Sequence, residues 1–274
     1  MEGILRTFID AALDAGEIIM KYYSLPLSER GLSYKEDQSP VTRADQEANQ
    51  CILDRICGAS CMEQLGDYGV LAEESRDDLS RLEKDWCVII DPLDGTKEFI
   101  AGLPEFTVNI ALVYQGEPVL GVVYAPATQE LFYARRGGGA FKAILPAPET
   151  RIFVSPRKTD LIAMHSRYHL DDKTKALLER HRDRFASVIT AGSSLKVCRI
   201  AEGKADVYYR FGYTMEWDTC AEQLIVEEAG GFLLEGHTDR PIVYNRQDPC
   251  NRYGFYVVNC MENCLERLEI NGNS

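Results

Sequence analysis

The stretch WCVIIDPLDGT, residues 86–96, contains the strongest structural signal in this chain of 274 residues. Its apolar residues 86–90 predict a buried strand, because a short apolar run that stops abruptly at Pro and Gly is typical of one. Strand ends in open sheets commonly carry ligand sites. We therefore expect Asp91 and Asp94, which are separated by a Pro-Leu turn, to face one small volume.

Two carboxylates in one small volume repel each other unless a cation neutralises them. Oxygen-only donors at a turn suit a hard ion such as Mg²⁺. The segment 86–96 therefore indicates metal-assisted chemistry on a phosphate. The alternative reading of the segment alone is an acidic turn that is merely solvated.

The acidic composition of the chain limits its partners. It has 43 acidic and 30 basic residues, a net charge of −13, which argues against nonspecific binding to nucleic acid or to an anionic membrane. No apolar stretch is long enough to span a bilayer, and acids interrupt the apolar N-terminus, so we expect neither a transmembrane segment nor a secretory signal. The nine cysteines contain no C-x-x-C pair and predict reduced thiols in a cytoplasmic protein.

Apolar patterning divides the chain into two halves. Helical spacing predicts one helix at the N-terminus and another over about residues 42–56, and residues 106–141 have the pattern of a β-meander. Beyond the Pro-rich stretch 145–150, strands alternate with helices, which indicates an α/β layer. We predict an N-terminal α+β half over 1–150 that carries most metal ligands, and a C-terminal α/β half over 151–274.

Other acidic residues are placed where they could reach the turn after residue 90. Glu73 and Glu74 close a short apolar run and therefore lie at the end of a strand. Asp45 falls in the first turn of the second helix, where the helix dipole alone would favour a carboxylate. Asp218 could be only the N-cap of a later helix. Each ordinary explanation is plausible alone, but their joint occurrence with D-P-L-D-G-T is much less so.

This ordered set of motifs resembles the lithium-sensitive, magnesium-dependent phosphatase superfamily, which includes inositol monophosphatases, fructose-1,6-bisphosphatases and 3'(2'),5'-bisphosphate nucleotidases. The resemblance covers nearly the whole chain and is carried by Asp45, Glu73-Glu74, D-P-L-D-G-T at 91–96, Trp217-Asp218 and Gly230-Gly231. It implies a layered αβαβα sandwich of the inositol monophosphatase and sugar phosphatase type, with the active site between the two halves.

The run from Asp91 to Leu112 is similar to the bacterial CysQ-type bisphosphate nucleotidases, whereas inositol monophosphatases more often have Thr-Asn-Phe after the threonine. This likeness implies removal of the 3'-phosphate of adenosine 3',5'-bisphosphate, or of 3'-phosphoadenylyl sulfate, in sulfur metabolism. The alternatives are an inositol-monophosphatase-like or general sugar-phosphate phosphatase, and a non-catalytic metal or nucleotide sensor on the same fold. The D-x-x-D-G-T spacing disfavours a haloacid-dehalogenase-type phosphatase, which needs D-x-D-G-T.

The resemblance also implies a metal centre and a catalytic pair. About two or three Mg²⁺ ions would be held by oxygen ligands from Glu73, Asp91, the Leu93 carbonyl, Asp94 and Asp218. Thr96, oriented by Asp45, would position the attacking water, so that the catalytic residues are Asp45, Thr96 and Glu73. The amides of Gly95 and Thr96 would cradle the phosphate.

Recognition of the rest of the substrate is implied for a second group of residues: Gly95, Thr96, His169, Ser193, Lys196, Arg210 and Asp218. Two departures from the branch leave the fit of the non-reacting part of the substrate open. The chain has Thr219-Cys220-Ala221-Glu222 where Thr-Ala-Ala-Gly is usual, and Glu216 would add a carboxylate near the substrate wall. The expected partner is a small phosphorylated molecule, and the expected assembly is a monomer or homodimer.

Overall fold

Six helices and sixteen strands are present in the computed structural model of the chain, which describes residues 1–35 and 39–266. The helices are α1 (Glu2–Tyr23), α2 (Arg43–Cys57), α3 (Thr96–Ile100), α4 (Asp172–Arg180), α5 (Leu195–Ala201) and α6 (Glu216–Glu228). The strands are β1 (Ser33–Tyr34), β2 (Pro40–Val41), β3 (Tyr68–Ala72), β4 (Trp86–Asp94), β5 (Thr107–Tyr114), β6 (Glu117–Ala125), β7 (Glu130–Arg135), β8 (Gly139–Ile144), β9 (Thr150–Ile152), β10 (Leu161–Ser166), β11 (Phe185–Ala191), β12 (Val207–Arg210), β13 (Thr214–Met215), β14 (Phe232–Glu235), β15 (Cys250–Asn251) and β16 (Phe255–Val258).

The larger elements stack in five layers. Helices α1 and α2 cover one face of the seven-stranded sheet β3-β4-β5-β6-β7-β8-β9. Helices α5 and α6 lie between its other face and the five-stranded sheet β11-β10-β12-β16-β14, whose outer face packs on α4 through Leu177. The αβαβα sandwich that the resemblance implies is therefore confirmed.

Helix α1 follows the predicted apolar spacing. Its buried stripe includes Ile4, Phe8, Ala15 and Ile19, which recur every three or four residues and so lie on one face of a helix. This stripe packs in the same apolar cluster as the adjacent face of the large sheet. None of the described helices is long and apolar enough to cross a membrane.

Strand β4 is buried on both faces, because β3 and β5 flank it and helices cover the sheet. This explains its continuous apolar run. The predicted strand over residues 86–90 is confirmed, but its predicted end is wrong, since β4 continues to Asp94. The expected Pro-Leu turn is a β-bulge, in which Asp91 pairs with Asn109 while Asp94 pairs with Thr107. Three steps along β4 thus match two along β5.

The bulge has a direct consequence for the two aspartates. In a regular strand, side chains three positions apart point to opposite faces of the sheet. The extra residue of a bulge restores a common direction. Asp91 and Asp94 therefore reach the same space although they occupy one strand.

The division into halves near residue 150 stays a proposal. The seven-stranded sheet ends with β9 at Ile152, and the five-stranded sheet begins with β10 at Leu161. One apolar cluster nevertheless contains Ala134 of the first sheet and Tyr208 of the second, so the halves share a core. Residues 267–274 of the proposed C-terminal half lie outside the described residues.

Candidate active site

A cavity of about 740 Å³ opens where β4, α3, α5 and α6 meet. Its wall contains all but one of the site residues that the sequence indicates: Glu73, Asp91, Leu93, Asp94, Gly95, Thr96, His169, Ser193, Lys196, Arg210 and Asp218. The exception, Asp45, is buried behind Thr96. The structure thus brings together residues from positions 45 to 218 of the chain.

Three carboxylates form the centre of this cavity. Asp91, Asp94 and Asp218 each place one oxygen within 4.8 Å of the others. Burial, and then the charges of Glu73 and Asp94, raise the pKa of Asp91 well above its usual range. Burial, and then Asp94, raise the pKa of Asp218 to about 8. Such mutual repulsion between oxygen donors fits a site for a divalent cation, which would relieve it.

A backbone N–H fixes one oxygen of each of these aspartates. The N–H of Leu93 donates to Asp91 Oδ1 at 2.9 Å. The N–H of Ser194 donates to Asp94 Oδ2 at 2.6 Å, and that of Met215 donates to Asp218 Oδ2 at 2.7 Å. Asp218 lies at the third position of α6 and is therefore not its N-cap. Among the described residues, no side chain or N–H group donates a hydrogen bond to the second oxygen of these aspartates, which is therefore open to a ligand.

Glu73 adjoins the three aspartates but has a cationic partner. Lys35 Nζ donates to Glu73 Oε1 at 2.8 Å and lies 2.5 Å from Glu74 Oε1. Burial raises the pKa of Glu73 to about 7, against the opposing effect of Lys35. The Lys35 ammonium thus neutralises two carboxylates that would otherwise be available to a metal ion. Sequence reasoning missed Lys35, because a lysine in a short hairpin carries no signal of its partner.

The two residues expected to form the catalytic pair, Asp45 and Thr96, join the starts of two helices. Thr96 Oγ1 lies 3.3 Å from Asp45 Oδ1 and 3.3 Å from the Leu93 carbonyl oxygen. The other Asp45 oxygen accepts hydrogen bonds from the N–H of Thr42 at 2.8 Å and from its hydroxyl at 2.5 Å. Thr42 is the N-cap of α2. Burial raises the pKa of Asp45 to about 6.

Gly95 makes the passage from β4 into α3 possible. Its φ of +93° lies in the left-handed region, which favours glycine. A Cβ at this position would lie 2.9 Å from the Glu105 carbonyl oxygen and 3.3 Å from Ser193 Cβ. Since the first N–H groups of a helix have no partner within it, the Gly95 and Thr96 amides are available to an anion.

A cationic side of the cavity lies beyond the carboxylates. Arg210 Nη1 donates to the His169 carbonyl oxygen at 3.2 Å, and Lys97 Nζ lies 3.5 Å from His169 Nε2. Burial, and then Arg210 and Lys97, lower the pKa of His169 to about 4, so the ring is neutral near pH 7. Lys196 is buried, and its Nζ donates to the Ser193 carbonyl oxygen. Sequence reasoning missed Lys97, although its place next to Thr96 was a usable signal.

Glu216 does not contribute to the cavity, which corrects the expectation of a carboxylate near the substrate wall. It is fully buried and accepts hydrogen bonds from the N–H of Asn245 at 2.7 Å and from the N–H and Nε of Arg246 at 3.0 and 2.9 Å. Its role is to hold the 245–246 segment against the start of α6. Glu222, by contrast, lines the cavity.

Comparisons with known proteins agree with this geometry. A model of the inositol monophosphatase family matches residues 1–252. The chain is 39% identical over 235 residues to the 3'(2'),5'-bisphosphate nucleotidase CysQ of Salmonella typhimurium, with 84% of this chain and 89% of that protein covered.

Solved structures show the same likeness. CysQ from Bacteroides thetaiotaomicron, described as a bacterial member of the inositol monophosphatase family, is 38% identical with a TM-score of 0.80, and the match covers 93% of this chain and 96% of that one. An inositol monophosphatase from Anabaena is 25% identical with a TM-score of 0.71, over 95% and 92% of the two chains. The fold, the order of the motifs and these matches lead to one conclusion: this chain belongs to the inositol monophosphatase family.

Proposed function

We propose that the protein is a Mg²⁺-dependent 3'(2'),5'-bisphosphate nucleotidase, which removes the 3'-phosphate of adenosine 3',5'-bisphosphate by attack of water. We propose 3'-phosphoadenylyl sulfate, which would lose its 3'-phosphate in the same way, as a further substrate. The relatives named CysQ support this choice, with 36–39% identity over most of the chain. We also propose that it acts in the cytoplasm, and the nine free cysteines support this location. Its proposed assembly is a monomer or homodimer.

One observation carries the proposal. The Asp45–Thr96 pair and the carboxylates of Asp91, Asp94 and Asp218 meet at one cavity, whose other side carries Lys196 and Arg210. A phosphatase for a substrate with two phosphates needs both the acidic and the cationic side of this cavity. The carboxylates suit a divalent cation at the reacting phosphate, and cationic donors suit the second phosphate.

We assign about two or three Mg²⁺ ions to the oxygen ligands Glu73, Asp91, the Leu93 carbonyl, Asp94 and Asp218. When bound, Mg²⁺ polarises the phosphate and lowers the pKa of water. Among the described hydrogen bonds, no basic side chain binds the carboxylates of Asp91, Asp94 or Asp218. Glu73 is the exception in the ligand set, because Lys35 donates to it. Glu73 joins the set once Lys35 releases it.

The chain's own residues orient and move protons. The Thr96 hydroxyl donates to Asp45 Oδ1, so its oxygen lone pairs can accept a hydrogen bond from water. Asp45 keeps Thr96 in this orientation and can take up a proton at Oδ1. The amides of Gly95 and Thr96 bind the phosphate oxygens. His169, Ser193, Lys196 and Arg210 contact the nucleoside and its second phosphate.

The test is the release of phosphate in the presence of Mg²⁺ from adenosine 3',5'-bisphosphate, inositol 1-phosphate and fructose 1,6-bisphosphate, compared by kcat/KM. We expect a preference for the nucleotide of about a hundredfold or more, which corresponds to about 2.7 kcal/mol. A non-catalytic sensor would release no phosphate from any of the three.

A general sugar-phosphate or inositol-monophosphatase-like activity is the second candidate. The fold match to the inositol monophosphatase from Anabaena favours it. Turnover of the sugar phosphates that equals or exceeds that of the nucleotide would establish it. The metal centre and the Asp45–Thr96 pair would then keep their roles, and the cationic side would lose its assignment.

A further inference from the structure

Glu222 is a buried acid at the wall of the cavity that the proposed mechanism does not use. It follows Asp218 by one helical turn on α6, so the two side chains share a face of the helix. Glu222 is 3% exposed. Among the described residues, its Oε2 has no hydrogen-bond partner.

The neighbours of Glu222 leave that oxygen open. Burial, and then the charge of Asp94, raise the pKa of the Glu222 carboxyl well above its usual range, while the charge of Lys196 and a hydrogen bond with the Ser194 side chain oppose this. Lys196 Nζ, however, donates to the Ser193 carbonyl oxygen. Tyr208 lines the same part of the cavity, 5.4 Å from the Lys196 ammonium. The wall of the cavity therefore contains an unpartnered Glu222 oxygen as well as the Lys196 ammonium, which lies over the Tyr208 ring.

An unpartnered carboxyl oxygen inside a protein is costly, and buried polar atoms almost always have partners. Because Glu222 lines the cavity, a bound substrate can supply the missing partner. A phosphate is disfavoured, since Asp94 and Asp218 already place negative charge next to Glu222. A neutral hydroxyl fits, because it can donate its proton to a carboxyl oxygen.

We propose that Glu222 is a specificity-determining residue whose Oε2 accepts a hydrogen bond from the sugar hydroxyl next to the scissile phosphate ester. The proposal deepens the nucleotidase assignment and rests on it. Its position one turn, about 5.4 Å, beyond Asp218 on the same helix face places Glu222 near the first atoms past the reacting phosphate. In adenosine 3',5'-bisphosphate, the hydroxyl next to the 3'-ester is the ribose 2'-hydroxyl.

The experiment compares kcat/KM for adenosine 3',5'-bisphosphate and its 2'-deoxy analogue in four proteins: the wild type, Glu222→Leu, Glu222→Gln and Glu227→Gln. We expect the wild type to prefer the ribose form by about tenfold or more, since a site built for a hydroxyl rejects the analogue that lacks it. Glu222→Leu brings the ratio close to one. Glu222→Gln keeps part of the preference, because its amide oxygen still accepts.

Glu227→Gln is the matched control. Glu227 is on the same helix and also has a buried unpartnered oxygen, but its other oxygen binds Arg136 and it does not line the cavity. It should retain the wild-type ratio, and thermal melting should show that all four proteins are folded.

Three results would overturn the inference. In the first, wild type and Glu222→Leu have the same ribose-to-deoxyribose ratio while both turn over the nucleotides well. In the second, Glu222→Leu keeps the ribose-to-deoxyribose ratio of the wild type but changes the preference for adenosine over inosine 3',5'-bisphosphate. That result would place Glu222 against the base. If the wild type hydrolyses neither nucleotide, the proposed function fails first and the inference fails with it.

Discussion

At the scale of single residues, the three central aspartates share one device. Each has one carboxylate oxygen fixed by a backbone N–H, from Leu93, Ser194 or Met215. One oxygen of each carboxylate lies within 4.8 Å of the others. Because the backbone sets these orientations, the charges stay close together in spite of their repulsion, and a cation finds its ligands already positioned.

Asp91→Asn tests the centre of this cluster. We expect kcat to fall by about a thousandfold or more, because a charge that a cation requires is lost. The thermal midpoint of the metal-free protein should rise, since the buried repulsion with Asp94 and Glu73 is relieved. Phosphate release and thermal melting measure the two effects. Asp172→Asn, at an exposed position, should change neither, and near-normal turnover of Asp91→Asn would refute the metal assignment.

Lys196→Ala tests the cationic side of the cavity. The Lys196 ammonium is buried, and burial lowers its pKa, so a nearby phosphate would recover much of its lost solvation. We expect kcat/KM for adenosine 3',5'-bisphosphate to fall by about tenfold or more, and that for adenosine 3'-monophosphate to change little. Equal losses on both substrates would remove the argument that Lys196 binds the second phosphate.

At the scale of elements, the site residues lie at the ends of strands and at the starts of helices. The bulge of β4 ends in Gly95, where α3 begins, and the first turns of α2 and α6 supply Asp45 and Asp218. Residues in such places serve a local structural purpose as well as a chemical one. Asp45 caps α2 through Thr42 while it also contacts Thr96.

Gly95→Ala should disturb this junction. The new Cβ would lie 2.9 Å from the Glu105 carbonyl oxygen, and the alanine backbone would have to adopt a φ of +93°. We therefore expect a loss of about 1–3 kcal/mol in unfolding free energy and a fall in kcat. Gly102→Ala separates the two causes, because Gly102 also has a positive φ, of +71°, but open space around its Cβ position. It should cost about 1 kcal/mol and leave kcat unchanged. If the two variants behave alike, contact with the 105 and 193 segments is not what makes Gly95 necessary.

At the scale of the whole molecule, the cavity concentrates negative charge in a chain that is already acidic, at −13. The two large sheets share an apolar core, which holds these charges close together. Without a cation the protein relieves the repulsion by keeping protons. The raised pKa values of Asp91, Asp218 and Glu73 express this.

This predicts a pH dependence of stability. A carboxyl whose pKa is higher in the folded than in the unfolded protein stabilises the fold fully below the unfolded value, and the contribution is lost as pH rises through the folded value. The folded values of about 7 for Glu73 and about 8 for Asp218 place the loss in metal-free protein between about pH 4, the range of an unperturbed carboxyl, and mildly alkaline pH. Mg²⁺ needs the ionised groups, so the increase in Tm on adding Mg²⁺ should be small at about pH 5 and larger at about pH 8.5.

Melting curves with and without Mg²⁺ between about pH 5 and about pH 8.5 measure this pH dependence of the increase in Tm. In Asp218→Asn the pH dependence of the Mg²⁺ effect should be weaker, because one of the titrating groups is gone. An Mg²⁺ effect that is equal at both ends of the range would mean that these carboxyls do not release protons when the ion binds.

Much of the fold and the acidic part of the candidate site followed from local patterns. The apolar run at 86–90, the helical spacing of α1 and the meander over 106–141 depend on interactions between near neighbours, and all three appear in the structure. The end of β4 was wrong because a bulge between Asp91 and Asp94 is made by pairing with β5. That pairing is distant in sequence.

The sequence by itself determined the αβαβα sandwich through its resemblance to a known family, and it placed the acids of the motifs at strand ends and helix starts, because those features are encoded locally. Only the tertiary structure decided the partners of those acids. Lys35 neutralises Glu73, Ser194 fixes Asp94 from 100 positions away, and Glu216 turns toward Asn245 and Arg246 while Glu222 faces the cavity. Glu216 and Glu222 lie on one helix and differ in this way because the packing of α6 between two sheets, and not their chemistry, sets what each side chain meets.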